Sequence, residues 1–146
     1  PRRSADGAYE AMLLLHEGNG IFADRTTGQH VEGLILMEAA RQLAVAATEL
    51  LLQSEHGAAP DLSFALTVMN NTFHQFVFPI EARLSIRIEV KVLTLGDERR
   101  YSCHSVASGH QNGRVVFEQE ARYVVFSRPV IAAIEAKRAI AAARGG

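Results

Sequence analysis

Residues 33–54 read GLILMEAARQLAVAATELLLQS, and this stretch decides how the chain folds. Nearly all of its residues favour a helix, and apolar side chains occur almost all the way round a 3.6-residue period. Residues 57–61, GAAPD, follow with the glycine and proline that commonly end helices. A helix with so little polar surface is predicted to be enclosed by other structure rather than to lie on a surface.

Downstream of the helix the hydrophobic period changes to two. Residues 84–95, LSIRIEVKVLTL, alternate aliphatic with polar side chains, as a half-buried antiparallel strand does. Residues 63–78, 99–108 and 114–127 are predicted as three further strands, with hairpin connections at 96–98 and 109–113. Residues 130–144, after Pro129, are predicted to be helical. The order indicates an α+β fold with a long central apolar helix wrapped by a curved antiparallel sheet.

Length and composition exclude several classes of protein. The 146 residues suit one domain, which we expect over residues 1–146, and the net charge of -1 gives no reason to expect nucleic acid or a membrane as partner. No signal peptide or anchor is visible, and a lone cysteine, Cys103, permits no intrachain disulfide. No histidine pair has helical metal-ligand spacing. We therefore expect a cytoplasmic protein without a metal site, in which Cys103 is a packing residue.

A polar stripe on the helix has two interpretations. Its members, three, four and seven residues apart and hence on one side, are Glu38, Arg41, Gln42 and Glu49. In the first interpretation the stripe meets solvent or a partner subunit, and the first carboxylate pairs with the arginine. In the second, Glu38 and Gln42 line an acyl pocket with His30, and the Gly33 N–H and the helix dipole favour a developing negative charge.

Three stretches resemble one known family. Residues 24–42, DRTTGQHVEGLILMEAARQ, resemble the helix entrance of the A-factor biosynthesis (AfsA-type) hotdog domain, whose pattern includes H-V-x-G and then E-A-A-R-Q. Residues 68–79, VMNNTFHQFVFP, and 122–129, RYVVFSRP, resemble later strands of that family. A more distant likeness, of residues 33–39 to hotdog 3-hydroxyacyl carrier protein dehydratases, supports the fold. Asp24 stands where those dehydratases have their catalytic histidine, which argues against dehydration.

The resemblance implies a hotdog fold and an acyltransferase. AfsA-type domains are associated with moving a β-ketoacyl chain from an acyl carrier protein thioester to a hydroxyl of a three-carbon acceptor of the dihydroxyacetone phosphate type. The ester then cyclises to a butenolide or butyrolactone, in a free-standing enzyme of secondary metabolism or in a polyketide synthase offloading domain. No bound cofactor is implied, since the carrier's phosphopantetheine arm brings the substrate. Family members usually carry two such domains in tandem, so we expect a homodimer here.

The resemblance also suggests roles for individual residues. The Gly33 N–H is predicted to stabilise the oxyanion and Glu38 to act as general base, with its pKa raised by apolar surroundings. Gln42 orients Glu38 or the substrate, and His30 shares the proton transfer. Arg25 and Arg41 are candidates for binding the acceptor's phosphate or the phosphopantetheine. Three further residues are predicted to bind substrate: Asp24, Asn70 and Asn71.

Two other functions stay open at this stage. A hotdog thioesterase uses the same pocket and a carboxylate, with water in place of the alcohol. A non-catalytic acyl-binding or dimerisation module binds the acyl carrier protein without turnover, and its affinity depends little on Glu38.

Overall fold

The structure, a computed structural model, describes residues 1–13, 31–58, 60–78, 80–95 and 98–127, together with residues 132, 135 and 136. The elements defined among them are β1 (Arg2–Arg3), β2 (Tyr9–Leu13), α1 (Gly33–His56), β3 (Leu62–Phe73), β4 (Ala82–Leu95), β5 (Glu98–Gln111) and β6 (Arg114–Ser127). All neighbouring strands pair antiparallel, in the order β1-β2-β4-β5-β6-β3. The α+β class is therefore confirmed.

The sheet has two faces, which follow from the register. One row across four strands joins Ile86, Ala107, Gln119 and Asn71, and the next row joins Arg87, Val106, Glu120 and Asn70. The first row belongs to the face that packs against α1, which we call the inner face, and its members on β4, β5 and β6 are buried. The second row belongs to the opposite, outer face. Polar outer and apolar inner side chains account for the alternation in the sequence.

The three long strands match their predicted positions with small differences at their ends. β5 begins one residue earlier than expected and continues to Gln111, so the connection predicted at 109–113 is shorter than thought. Its turn consists of Asn112 and Gly113, with φ of 51° and 74°. Two central residues with positive φ suit a tight hairpin whose twist matches that of the strands. In the other predicted connection, Glu98 already belongs to β5 and residues 96 and 97 lie outside the described residues.

β3 ends at Phe73, five residues before the predicted end of its strand. Beyond it the backbone finds other partners, since His74 N donates to Val116 O at 2.9 Å and Val77 O accepts from Val31 N at 2.6 Å. The buried Gln111 side chain accepts from Phe78 N at 3.1 Å and donates to Phe78 O at 3.0 Å. These contacts replace a strand ladder, and no local pattern in residues 74–78 reveals them.

The N-terminal strands were missed by the sequence analysis. β1 has two residues and β2 has five, too few for an alternating pattern to stand out. Tyr9, Ala11 and Leu13 lie on the inner face only because β2 pairs with β4. The helix predicted at 130–144 lies mostly outside the described residues. Within that range the structure describes residues 132, 135 and 136, which are helical.

α1 packs along one side and is exposed on the other. Its buried residues, spaced three and four apart, are Leu36, Ala40, Leu43, Ala44, Ala47, Thr48, Leu51 and Leu52. The opposite side exposes Leu34, Glu38, Arg41 and Gln42, so the prediction of a helix enclosed on all sides is wrong for a single chain. Its end is close to the predicted one, because Gly57 has φ 61° and its N–H donates to Leu52 O. No helix in the described residues is long and apolar enough to cross a membrane.

Candidate functional site

The start of α1 is held against the end of β3. A Cβ placed on Gly33 would lie 2.9 Å and 3.0 Å from two ring atoms of Phe73, and that ring packs on Phe117 with centroids 5.1 Å apart. Any larger residue at position 33 therefore has to displace an aromatic ring. The first N–H groups of a helix have no partner within it, so the Gly33 amide is the type of donor that binds an oxyanion. Leu34, the next residue along the chain, is exposed.

Glu38, Arg41 and Gln42 form a hydrogen-bonded group on the exposed side of α1. Arg41 donates from Nε to Glu38 Oε2 at 2.7 Å and from Nη2 to Oε1 at 2.6 Å, and Gln42 Nε2 donates to Oε1 at 3.0 Å. The Glu38 and Arg41 side chains are 49% and 56% exposed. The pairing that the first interpretation of the stripe predicted is confirmed.

The pKa of Glu38 departs from the expectation of a raised value. The hydrogen bonds from Arg41, and then the one from Gln42, lower it to about 2. The error lay in taking the neighbouring apolar residues as the surroundings of the carboxylate, whereas the side chain points to the exposed side of the helix. Glu38 is therefore ionised at neutral pH, and both of its carboxylate oxygens accept hydrogen bonds from Arg41.

Asn71 and Gln119 lie together on the inner face, under the second turn of α1. Gln119, which is 3% exposed, donates from Nε2 to Asn71 Oδ1 at 2.9 Å and to the main-chain oxygen of Met37 at 3.3 Å. Asn71 is half-buried and stands two residues before Phe73 on the same face. This contact connects the edge strand, the sheet and the helix at the candidate site.

Asn70 is placed on the outer face, away from α1, because adjacent strand residues point to opposite sides. It hydrogen-bonds Glu120, which also contacts His104 Nε2 at 3.0 Å and Arg122 Nη2 at 3.5 Å. The hydrogen bond from His104 is the main cause of the lowered pKa of Glu120. The structure thus brings Asn71, and not Asn70, near the start of α1.

Three of the predicted site residues, Asp24, Arg25 and His30, lie outside the described residues. Two residues that the sequence analysis did not single out stand at the site, namely Phe73 and Gln119. A signal existed for Gln119, because it is the one amide in the inner-face row Phe117, Gln119, Ala121, Tyr123 and Val125 of β6. Phe73 gave none, since an aromatic residue in a strand is ordinary.

Cys103 is buried on β5, as predicted, and burial raises its pKa to about 12. Nearby, Tyr123 OH and Thr48 Oγ1 are 2.7 Å apart in the core, and burial raises the pKa of Tyr123 to about 12. A thiol that keeps its proton is a poor nucleophile. These groups are accordingly part of the packing between α1 and the sheet.

Known families and solved structures include relatives of this chain. The sequence model of the family described as "AfsA: A-factor biosynthesis hotdog domain" matches residues 1–127, which confirms the resemblance found in the sequence. No match is found among curated proteins.

Solved structures show the same fold at low sequence identity. A hot-dog-like protein from Thermanaerovibrio acidaminovorans superposes with a TM-score of 0.56 at 12% identity, over 90% of this chain and 89% of that one. A phenylacetic acid degradation-related protein from Ralstonia eutropha JMP134 superposes with a TM-score of 0.53 at 20% identity, over 80% of this chain and 75% of that one. A 12:0-ACP thioesterase from Umbellularia californica superposes with a TM-score of 0.54 at 6% identity, over 84% of this chain and 46% of that one. The hotdog fold is thereby confirmed.

Proposed function

The chain belongs to the A-factor biosynthesis hotdog domain family, and we propose on that premise that it transfers a β-ketoacyl chain from an acyl carrier protein thioester to a hydroxyl of a phosphorylated three-carbon acceptor. The ester so formed is the precursor of a butenolide or butyrolactone. The observation that carries the proposal is the start of α1, where a glycine amide, a carboxylate, a guanidinium and an amide stand within three helical turns.

The proposed reaction uses these groups in one addition and one elimination. The acceptor's hydroxyl oxygen attacks the thioester carbon while its proton passes to the Glu38 carboxylate. The negative charge that develops on the carbonyl oxygen is stabilised by the Gly33 N–H at the positive end of the helix dipole. The carbon–sulfur bond then breaks, and the carrier thiolate takes up the proton held by Glu38. His30, predicted from the sequence, is a second candidate for this proton transfer.

Arg41 has two roles in this proposal. It lowers the pKa of Glu38, which makes the carboxylate a weak base. It is also a half-exposed cation at the site that can hold the acceptor's phosphate, since phosphate forms bidentate contacts with guanidinium groups as a carboxylate does. A phosphate that draws Arg41 away therefore raises the pKa of Glu38. In this way Glu38 becomes a stronger base when the acceptor is bound. Without the acceptor Glu38 stays a weak base, so water is activated little and the thioester is protected from hydrolysis.

A homodimer is part of the proposal. β3 is a twelve-residue edge strand, and among the strands that the structure describes only β6 pairs with it. Long edge strands with free backbone groups tend to pair with another chain. Because β3 carries Asn71 and Phe73, pairing through its free edge would bring a second copy beside the start of α1 and reduce the exposure of Glu38.

Hydrolysis of the thioester is the second candidate function. The 12:0-ACP thioesterase shares the fold and, by its name, acts on a carrier-bound chain. A thioesterase needs the same oxyanion donor and carboxylate but no site for a phosphate. The paired Arg41 favours transfer to a phosphorylated alcohol over transfer to water.

The test is incubation of the purified protein with a β-ketoacyl carrier protein, with and without dihydroxyacetone phosphate, followed by mass spectrometry of carrier and products. We expect loss of the acyl group and a phosphorylated ester only when the acceptor is present. Glu38→Gln should slow this reaction at least about a hundredfold, while Glu55→Gln, at the far end of α1, should leave it unchanged. Equal acyl loss without acceptor would support a thioesterase, and an acyl group retained in both samples would leave a binding module.

A further inference from the structure

The contact between Gln119 and Asn71 fixes the orientation of two side-chain amides. The oxygen and nitrogen of such amides look alike, so their orientation follows from their partners. The main-chain oxygen of Met37 can only accept a hydrogen bond, so the Gln119 atom that faces it at 3.3 Å must be Nε2. Nε2 can only donate, so the Asn71 atom that faces it at 2.9 Å must be Oδ1. A helix carbonyl thus orients both amides.

This orientation turns the two N–H donors of Asn71 away from Gln119. Within the part of the chain that the structure describes, no group accepts a hydrogen bond from Asn71 Nδ2. The side chain is half-buried and lies on the inner face, on the side of β3 where the Phe73 ring meets Gly33. Because Gln119 fixes the orientation of the Asn71 amide, this donor is suited to bind a ligand carbonyl.

We propose that Gln119 is a positioning residue that holds Asn71 as a hydrogen-bond donor for the β-keto oxygen of the acyl chain. The inference rests on the proposed acyl transfer and adds the selection of the substrate to it. The Gly33 N–H serves the thioester oxygen and Asn71 serves the oxygen two carbons further along, so the site prefers 1,3-dicarbonyl chains. A saturated chain leaves the Asn71 donor unpaired, which is how polar sites reject analogues that lack the matching group.

Gln119 is buried at a cost that packing alone does not explain. An apolar residue would fit the inner-face row formed by Phe117, Ala121, Tyr123 and Val125 without a need for hydrogen bonds. Asn71 likewise interrupts the inner-face row of β3 between Met69 and Phe73. Two amides in contact, one buried and one half-buried, with the Asn71 donors open, are suited to a ligand that accepts hydrogen bonds.

The test compares the preference for a β-ketoacyl over a saturated acyl carrier protein of equal length, as the ratio of kcat/KM values. Asn71→Asp keeps the size and the acceptor for Gln119 but replaces the donors. Gln119→Met keeps the length and removes the anchor. We expect each to reduce the wild-type preference about tenfold or more, whereas Asn112→Asp, the same exchange in the β5–β6 turn, leaves it unchanged. A purely structural role would slow both substrates equally and preserve the ratio.

A binding measurement separates this inference from the proposed function. The ligands are pantetheine analogues in which a methylene replaces the sulfur, with and without the β-keto group, and calorimetry gives their affinities without any turnover. Weaker preference for the keto analogue in the two variants supports the inference even if no acyl transfer is found. A wild-type protein without this preference, or variants that retain it in full, would overturn it. Asn71→Asp suffices if Gln119→Met does not fold.

Discussion

Glu38 shows how far one residue's environment departs from what its neighbours in sequence indicate. It stands between Met37 and Ala39 in a helix that reads as apolar, yet its carboxylate is half exposed and accepts hydrogen bonds from two side chains. The position on the helix, three and four residues before Arg41 and Gln42, predicted the pairing correctly. The direction of the pKa shift depended on which side of α1 the sheet covers, and that is a property of the tertiary structure.

The first prediction at this scale concerns Arg41. Replacing it by Gln removes the largest cause of the low pKa of Glu38, so this pKa should rise from about 2 toward that of an ordinary carboxyl group. Nuclear magnetic resonance titration of the labelled carboxyl carbon, from neutral pH down to the pH at which the protein begins to unfold in acid, measures the change. Gln42→Ala should produce a smaller rise, because the single hydrogen bond from Gln42 is the second cause of the low pKa, after the bonds from Arg41. An unchanged titration in Arg41→Gln would show that the ion pair does not persist in solution.

The second prediction concerns stability at high pH. The pKa of Cys103 rises from 9.0 to about 12 and that of Tyr123 from 10.0 to about 12 in the folded chain. Both groups keep their protons in the folded state and lose them in the unfolded state, so the stability is complete below pH 9 and falls between pH 9 and 12. Urea unfolding across this range should show a steep decline in the free energy of unfolding. Cys103→Ala should make the decline shallower, and an equal slope would contradict the assignment.

At the scale of the elements, the sequence predicted the parts whose pattern is long and repeated. α1 and the three long strands follow from 24 and 14 residues of regular periodicity. β1 and β2 were missed because their short segments become strands only by pairing with β4. The candidate site shows the same division. Gly33 and Glu38 were recognisable because they lie on one helix. The contact of Asn71 with Gln119 joins residues 48 positions apart, which no local pattern predicts.

A third prediction concerns the end of α1. Gly57 has φ 61°, and a Cβ there would meet nothing within 4 Å, so Gly57→Ala tests the backbone conformation alone. We expect a loss of about 1 kcal/mol in the free energy of unfolding. Gly109→Ala in β5 is the matched control, because its φ is not positive and its Cβ would lie in ordinary contact, 3.5 Å from Leu84 and Phe117. Equal losses for the two variants, measured by urea unfolding, would argue against a left-handed cap at Gly57.

At the scale of the whole molecule, the two edges of the sheet differ. One ends in the two-residue β1, which offers little backbone for pairing, whereas the other is the twelve-residue β3. Short edge strands are a common protection against association, and a long one invites it. The exposed side of α1 carries Leu34 together with the polar group around Glu38, so a single chain leaves the candidate site open. Both features support the proposal that the complete site includes a second copy.

The last prediction tests the proposed dimer directly. Val68 on β3 and Val106 on β5 both lie on the outer face and are 42% and 41% exposed, so a lysine at either position costs little in a monomer. In a dimer paired through β3, lysines at position 68 would approach each other, and charged edge residues oppose strand pairing. We expect light scattering to show twice the monomer mass for the wild-type protein and for Val106→Lys, and dissociation for Val68→Lys. Acyl transfer should fall with the dimer, because each site then loses the partner that covers it. A wild-type protein that stays monomeric, or a Val68→Lys variant that remains dimeric and active, would place any interface elsewhere than on β3.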